Sequence, residues 1–393
     1  MIKASVDNKI KKFRQQLLSP IYEFFKDSRA VGIVLIICTI ISLVTANSPY
    51  QAQYLQFWET EVHSPEGWHL PHSLLHWIND GLMVFFFFLV GMEIKRELTV
   101  GELSSIRKSM LPVLAALGGM VCPALIFVAF NAGTGHVHGW GIPMATDIAF
   151  SLGILSLVGK RVPVNLKIFL MALAIIDDLG AIIAIALFYT DQLQVAYLLG
   201  GAGMLAILIA LNLFRVQRLI LYVIPGIVLW YCIFNSGIHA TIAGVLVAFC
   251  IPLPKISAFV HNLHDPVNFL IMPVFALANT AIVFPENLGQ AFTTSVSYGI
   301  LAGLVLGKPL GIFLFSFAAT RFKLAALPQQ TSWSQLLGAG MIAGIGFTMS
   351  IFISTLAYKE AELQIISKMS VMAASLLAGV AGYAYLKLLK PRA

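Results

Sequence analysis

The chain has 393 residues, 59% of them hydrophobic and 11% charged, with a formal net charge of +7. A soluble protein needs a charged exterior, and a mean hydropathy of +0.86 excludes one. No alternating ten-residue strand pattern recurs, which excludes an outer-membrane barrel. Apolar stretches of about 20 residues suit a hydrocarbon core roughly 30 Å thick, and in lipid they satisfy their backbone only as helices.

Residues 1–29 read as a cytoplasmic leader. Within it Ile10, Phe13, Leu17, Ile21 and Phe24 recur at helical spacing among lysines, the pattern of an interfacial helix. A leader without fixed structure is the other reading. Residues 30–393 read as a single all-α, polytopic membrane domain of twelve transmembrane helices. The expected spans are 30–46, 75–94, 110–131, 140–159, 166–189, 195–214, 219–235, 237–253, 264–284, 294–318, 335–357 and 368–388. The division at Phe234–Gly237 is the least marked of these. The first span reads as a retained helix, because its basic leader is long and no A-x-A cleavage site follows.

The loop 47–73 alternates aromatic and β-branched residues with acids over Phe57–Val62, then turns at Ser64-Pro65-Glu66-Gly67. That pattern predicts a short hairpin. A two-stranded hairpin is marginal alone, so pairing with a second copy into a homodimer is one expectation. A loop resting on the membrane face is the other. Cys38, Cys122, Cys232 and Cys250 sit in apolar stretches without metal-ligand spacing and read as packing thiols.

The positive charge alone would suit nucleic acid, but its distribution gives a better account. Of the 25 Lys and Arg, all but Lys308, Lys359 and Lys368 fall in the leader, the C-terminus or alternate loops. By the positive-inside rule this puts both termini of the multi-pass chain in the cytoplasm.

Two spans are interrupted. One begins Gly139-Trp140-Gly141-Ile142-Pro143-Met144-Ala145-Thr146-Asp147; the other carries Gly338-Ala339-Gly340 and Gly344-Ile345-Gly346-Phe347-Thr348. Glycine and proline break helices, and unwound backbone at membrane depth survives only inside protein or around water. The triplets at about 110–190 and 294–388 run in opposite directions, each with an interrupted middle member. This is the pattern of an inverted-repeat transporter with its site between the repeats.

Charges inside the spans point to that site. Asp177 lies ten residues beyond Lys167, about 15 Å along a helix and near the midplane. Lys308 precedes Arg321, and Asp147 precedes Lys160, by thirteen residues each, about 20 Å. Each such charge costs about 2.5–3.5 kcal/mol or more. Carboxylate and hydroxyl oxygens suit a hard cation. Adjacent carboxylates in a dry site repel and are desolvated, so protons and a small cation can compete for the same oxygens. Competition with alternating access is exchange. No phosphate-binding glycine loop is present, and no cofactor is expected beyond the transported ions.

Several residues keep two readings. Asp177 or Asp147 either takes part in transport or forms a static pair with Lys308. Lys308 alternatively neutralises the C-terminal end of an interrupted helix. Thr146 either ligates or back-bonds to its own helix. Asp80, nearer the external face, either supports the site or caps its helix. For Glu93, beside Lys95 and Arg96, an interfacial salt bridge is the default.

The segments WINDGLMVFFFFLVGMEIKREL, GWGIPMATDIAFSLGILSLVGKRVP, LKIFLMALAIIDDLGAIIAIALFYT, SGIHATIAGVL, LGKPLGIF and GAGMIAGIGFTMSIFI closely resemble the NhaA family of bacterial sodium/proton antiporters. The resemblance spans Trp77 to Leu356. It implies two crossed interrupted helices in an inverted repeat, and electrogenic exchange of one internal Na+ (or Li+) for two external H+. It implies Asp177 and Asp178 as the carboxylates that bind the transported cation and protons, with Thr146 beside them. Asp147 and Lys308 match the residues that balance the helix dipoles, and Lys308 also matches a partner for Asp177. Glu93, His261 and His264 match the region tied to pH response, where Val260 stands in place of the family's glutamate.

Three rivals are weaker. An intramembrane aspartyl protease needs aspartates facing from separate helices, whereas Asp177 and Asp178 are consecutive and no GxGD motif occurs. A passive channel would need no proton-accepting pair. A cation-coupled carrier of an organic solute is the principal alternative.

Overall fold

The computed structural model describes residues 28–64, 67–190, 192–285 and 287–389. The predicted leader helix and the Pro65-Glu66 turn lie outside these. In chain order the helices are α1 (Ser28–Ala46), α2 (Gln51–Trp58), α3 (Leu74–Thr99) and α4 (Ile106–Asn131). A 3₁₀ segment, Val137–Met144, leads through extended residues 145–147 into α5 (Ile148–Val158). There follow α6 (Val164–Phe188), α7 (Val195–Leu213), α8 (Ile220–Phe234), α9 (Ile242–Cys250) and α10 (253–279). The last are α11 (Ser295–Arg321), α12 (Trp333–Ala343), α13 (Phe347–Ala357) and α14 (Ala361–Leu388).

Among the described residues, seven helical stretches are long and apolar enough to cross a bilayer, one of them, 137–158, broken by the extended residues 145–147, and the pair α12–α13, bent by 47°, makes an eighth. Two further apolar helices are shorter, within α1 and at α8. The chain is thus a multi-pass helical membrane protein. The break after Phe234 is real: Gly237 turns the chain with φ at +89°, a conformation open to glycine, before α9 begins.

Among the described residues the predicted hairpin forms no strands. Phe57 and Trp58 end α2 instead of opening a strand. Among the described residues what remains is one antiparallel bridge, Glu61 to Ser73, with Val62 N–H donating to His72 O at 2.9 Å and Leu74 N–H to Thr60 O at 3.1 Å. Helix propensity over Gln51–Gln56 carries through the aromatic pair, leaving too few residues for a ladder.

Among the described residues three helices widen into π-turns: Ile78–Leu82 in α3, Val267–Ile271 in α10 and Gly303–Gly307 in α11. Prolines explain two of them. Pro266 and Pro273 flank the second and Pro309 follows the third, each removing an N–H from the ladder. In the first, Trp230 Nε1 donates to the Asp80 carbonyl at 2.7 Å.

Small residues bring helices together without a hydrophobic driving force between them. At the α4–α11 contact, a Cβ on Gly118 or on Gly311 would collide with the other's carbonyl oxygen. Gly311→Ala should therefore lower the thermal unfolding midpoint of the detergent-solubilised protein, reflecting overpacking of about 1–3 kcal/mol. Gly203→Ala in α7, where a Cβ meets nothing within 4 Å, should leave it unchanged or slightly raised.

Candidate functional site

The two interrupted segments meet at their breaks. Gly139, Gly141 and Pro143 keep Val137–Met144 from continuing as an α-helix. Two tyrosine hydroxyls sit where glycine side chains would be: Tyr358 donates to His136 O at 2.7 Å, and Tyr189 to His138 O at 3.0 Å. Tyr189 also accepts from Gly141 N–H at 3.1 Å. Across the break, Asp147 N–H donates to Ile345 O at 2.7 Å and Ser151 Oγ to Ile342 O at 3.2 Å. Ser350 Oγ donates to Ile142 O at 2.7 Å. Unwound carbonyls and amides are thus paired between the segments, as a dry interior requires.

Asp147 is the N-cap of α5 and accepts from Phe150 N–H at 3.0 Å through one oxygen. Its other oxygen accepts from Thr348 N–H at 3.2 Å and Thr348 Oγ1 at 2.5 Å, at the first turn of α13. One carboxylate therefore faces two helix N-termini, where partial positive charge gathers. Thr146 Oγ1 donates to Ala343 O at 2.9 Å, at the C-terminus of α12, so it does not back-bond to its own helix.

Consecutive residues of α6 point about 100° apart, and the two aspartates meet different surroundings. Asp177 is fully buried and takes Lys308 Nζ on Oδ2 at 2.5 Å. Lys308 also donates to Met144 O, the last carbonyl of the 3₁₀ segment. Both readings of Lys308 are met together: it pairs with Asp177 and faces a negative segment end. Asp178 turns the other way, into a cavity of about 150 Å³ that it lines with Asp147, Thr348, Glu93, His264 and Asn268. Oδ1 of Asp177 and Oδ1 of Asp178 are both buried without a hydrogen-bond partner among the described residues. A buried carboxylate oxygen in that state suits a proton or a small hard cation.

The default for Glu93 is overturned. Lys95 caps α9 by donating to Phe249 O at 2.7 Å and Ile251 O at 2.6 Å, and Arg96 pairs with Glu97 at 3.2 Å. Exposed carbonyls at a helix end outcompete the nearby carboxylate, which faces the cavity instead. His264 reaches the same cavity, with Nε2 3.1 Å from Asn268 Nδ2, while His261 stays on the exposed face of α10. Val260 is buried. Asp80 does not cap α3, whose N-cap is Ser73. It is buried between His76 Nε2 at 3.0 Å and His239 Nδ1 at 3.3 Å.

Thr348, Asn268, His76 and His239 carry contacts that sequence reasoning did not assign. Thr348 follows the Gly344-Ile345-Gly346 break and was within reach as an N-terminal hydroxyl. The other three become legible only when separate helices are brought together.

Known proteins give the arrangement its context. The model of the family described as Na+/H+ antiporter 1 matches residues 22–386. The Na(+)/H(+) antiporter NhaA 1 of Flavobacterium johnsoniae is 49% identical over 370 residues, covering 93% of this chain and 95% of that one. The Na(+)/H(+) antiporter NhaA of Flavobacterium psychrophilum is 47% identical, covering 93% and 95%. That of Escherichia coli O1:K1 is 47% identical over 378 residues, covering 93% and 97%. With a family match over nearly its whole length and relatives of this identity, the chain belongs to the Na+/H+ antiporter 1 family.

Proposed function

We propose that this chain is a secondary transporter that extrudes cytoplasmic Na+ or Li+ in exchange for external H+ by alternating access. The observation that carries this reading is Asp178, fully buried, lining a cavity with one oxygen unpartnered, beside an ion-paired Asp177. Of the two aspartates only Asp178 lines the cavity that a cation would enter, and there the cation competes with a proton. Asp147 and Thr348 present oxygens to the same space.

On this reading the chain crosses a bacterial inner membrane twelve times with both termini in the cytoplasm. Residues 110–190 and 294–388 form inverted repeats whose interrupted helices cross at Asp147 and Ile345. The cavity beside Glu93 opens to the cytoplasm, and the loop 47–73 contacts a second copy. Asp177 and Asp178 bind the cargo cation and protons, Thr146 supports them, and Asp147 and Lys308 balance the segment ends. Glu93 and His264 set the response to pH from the cavity wall, His261 more remotely. Two protons enter per sodium ion, so one net charge moves inward. An inside-negative potential of 100 mV then contributes about 2.3 kcal/mol per cycle to cation efflux.

In inside-out vesicles acidified by respiration, NaCl or LiCl should alkalinise the lumen, as read by a pH-sensitive dye. Asp178→Asn should abolish that response while the protein still inserts. Retained exchange would remove Asp178 from the site, and dependence on an added organic solute would favour a solute carrier.

The Lys308–Asp177 pair carries its own expectation. Lys308→Ala leaves a buried carboxylate unpaired and should destabilise the solubilised protein by about 3–5 kcal/mol in denaturation. Combining it with Asp177→Asn should recover much of that loss.

A further inference from the structure

The α10 wall of the Asp178 cavity holds a polar group that the exchange reading leaves unused. His264, Asn268 and Met272 all line that cavity. Their spacing of four puts them on one helix face. Along that face His264 is exposed, Asn268 is partly buried and Met272 is buried. Asn268 therefore stands between water and the interior. It also sits inside the π-turn Val267–Ile271, between Pro266 and Pro273. Such turns are rare and recur at functional sites.

The direction of its amide follows from a chain of donors and acceptors. His264 Nδ1 lies 3.4 Å from Asp265 Oδ1, and an ionised carboxylate only accepts. The ring proton accordingly sits on Nδ1, and Nε2 of the neutral imidazole is an acceptor. Asn268 Nδ2, 3.1 Å from that Nε2, is the donor that meets it. The reverse amide orientation would set two acceptors, Oδ1 and Nε2, against each other. With its nitrogen committed to His264, Asn268 keeps its carbonyl oxygen for the cavity it lines.

The other polar groups on the cavity wall differ in what they can still accept. Both oxygens of Asp147 are taken, one by Phe150 N–H and the other by Thr348 N–H and Oγ1. Asp178 Oδ1 has no partner among the described residues. Asp178 and Glu93 are acids, so at each of them a proton competes with any cation. The Asn268 amide oxygen is a hard donor without that competition. A proton is held by a single oxygen, whereas a small hard cation gathers several, carbonyl oxygens among them. A neutral oxygen on the same cavity wall as Asp178 thus favours the cation over the proton.

We propose that Asn268 Oδ1 is a neutral ligand for the cation held at Asp178, its amide oriented by Asp265 and His264. This rests on the exchange reading of Asp178. Removing the Asn268 oxygen weakens the hold on the cation and leaves the hold on the proton. Half-saturation by Na+ then rises, while the loaded carrier turns over at its usual rate.

The test follows dye-reported exchange in inside-out vesicles holding the full chain, with NaCl varied at one alkaline pH. Asn268→Leu keeps the branched shape without the oxygen, and Asn268→Ala removes both. Each should raise the half-saturating Na+ concentration about tenfold, equivalent to about 1.4 kcal/mol. Maximal rate should stay within about twofold of the wild type. The same shift with the cavity filled or enlarged assigns the effect to the oxygen. An unchanged half-saturation, or opposite shifts in the two variants, overturns the ligand and leaves antiport standing. A lower maximal rate at unchanged half-saturation also overturns it, because Asn268 would then serve only the packing of α10. Exchange that survives Asp178→Asn, or is absent from the wild type, would instead overturn the exchange reading itself.

Discussion

Lys308 has no exposure to water, and its ammonium is tolerated because Asp177 stands 2.5 Å away and the Met144 carbonyl accepts a second bond. Moving an unpaired charge into such a place costs several kcal/mol, and the pair offsets that only while both bonds hold. The break in the 3₁₀ segment supplies one of them. If Val137–Met144 continued as an α-helix, the Met144 carbonyl would be committed to an N–H four residues on. The interruption, the lysine and the aspartate therefore depend on one another.

The same logic orders the other end of the break. Unwinding frees amides at the starts of α5 and α13, and Asp147 answers both with one carboxylate. Thr146 and Ser151 answer carbonyls at the end of α12. Nearly every polar group so exposed finds a partner, against which the unpartnered Oδ1 atoms of Asp177 and Asp178 stand out. A site that must exchange a proton for a cation needs oxygens of that kind. Their placement also divides labour: Asp178 meets the cavity, and Asp177 meets the lysine.

Much of this was legible in the chain because depth in a membrane can be counted along a helix. Asp147, Asp177, Asp178 and Lys308 announced themselves as charges in apolar stretches, and the glycines and Pro143 announced the breaks. Partners were less accessible. Lys95 and Arg96 lie within three residues of Glu93, yet a helix end from residues 249–251 and Glu97 claim them. The hairpin expectation failed for a related reason. Phe57 and Trp58 alternate like a strand, but the helix before them extends through both. His76 and Asn268 carry no motif, and the SGIHATIAGVL segment that holds His239 does not show its partner; their contacts arise only where α3, the turn before α9 and α10 meet their neighbours.

The central claim is that sodium and protons compete for the Asp178 carboxylate. Adding NaCl to the purified protein in weakly buffered detergent solution, while following pH, tests it without any membrane gradient. The account predicts proton release with Na+ and Li+ that saturates, and no release from Asp178→Asn. Sodium binding to the wild type without proton release would contradict it.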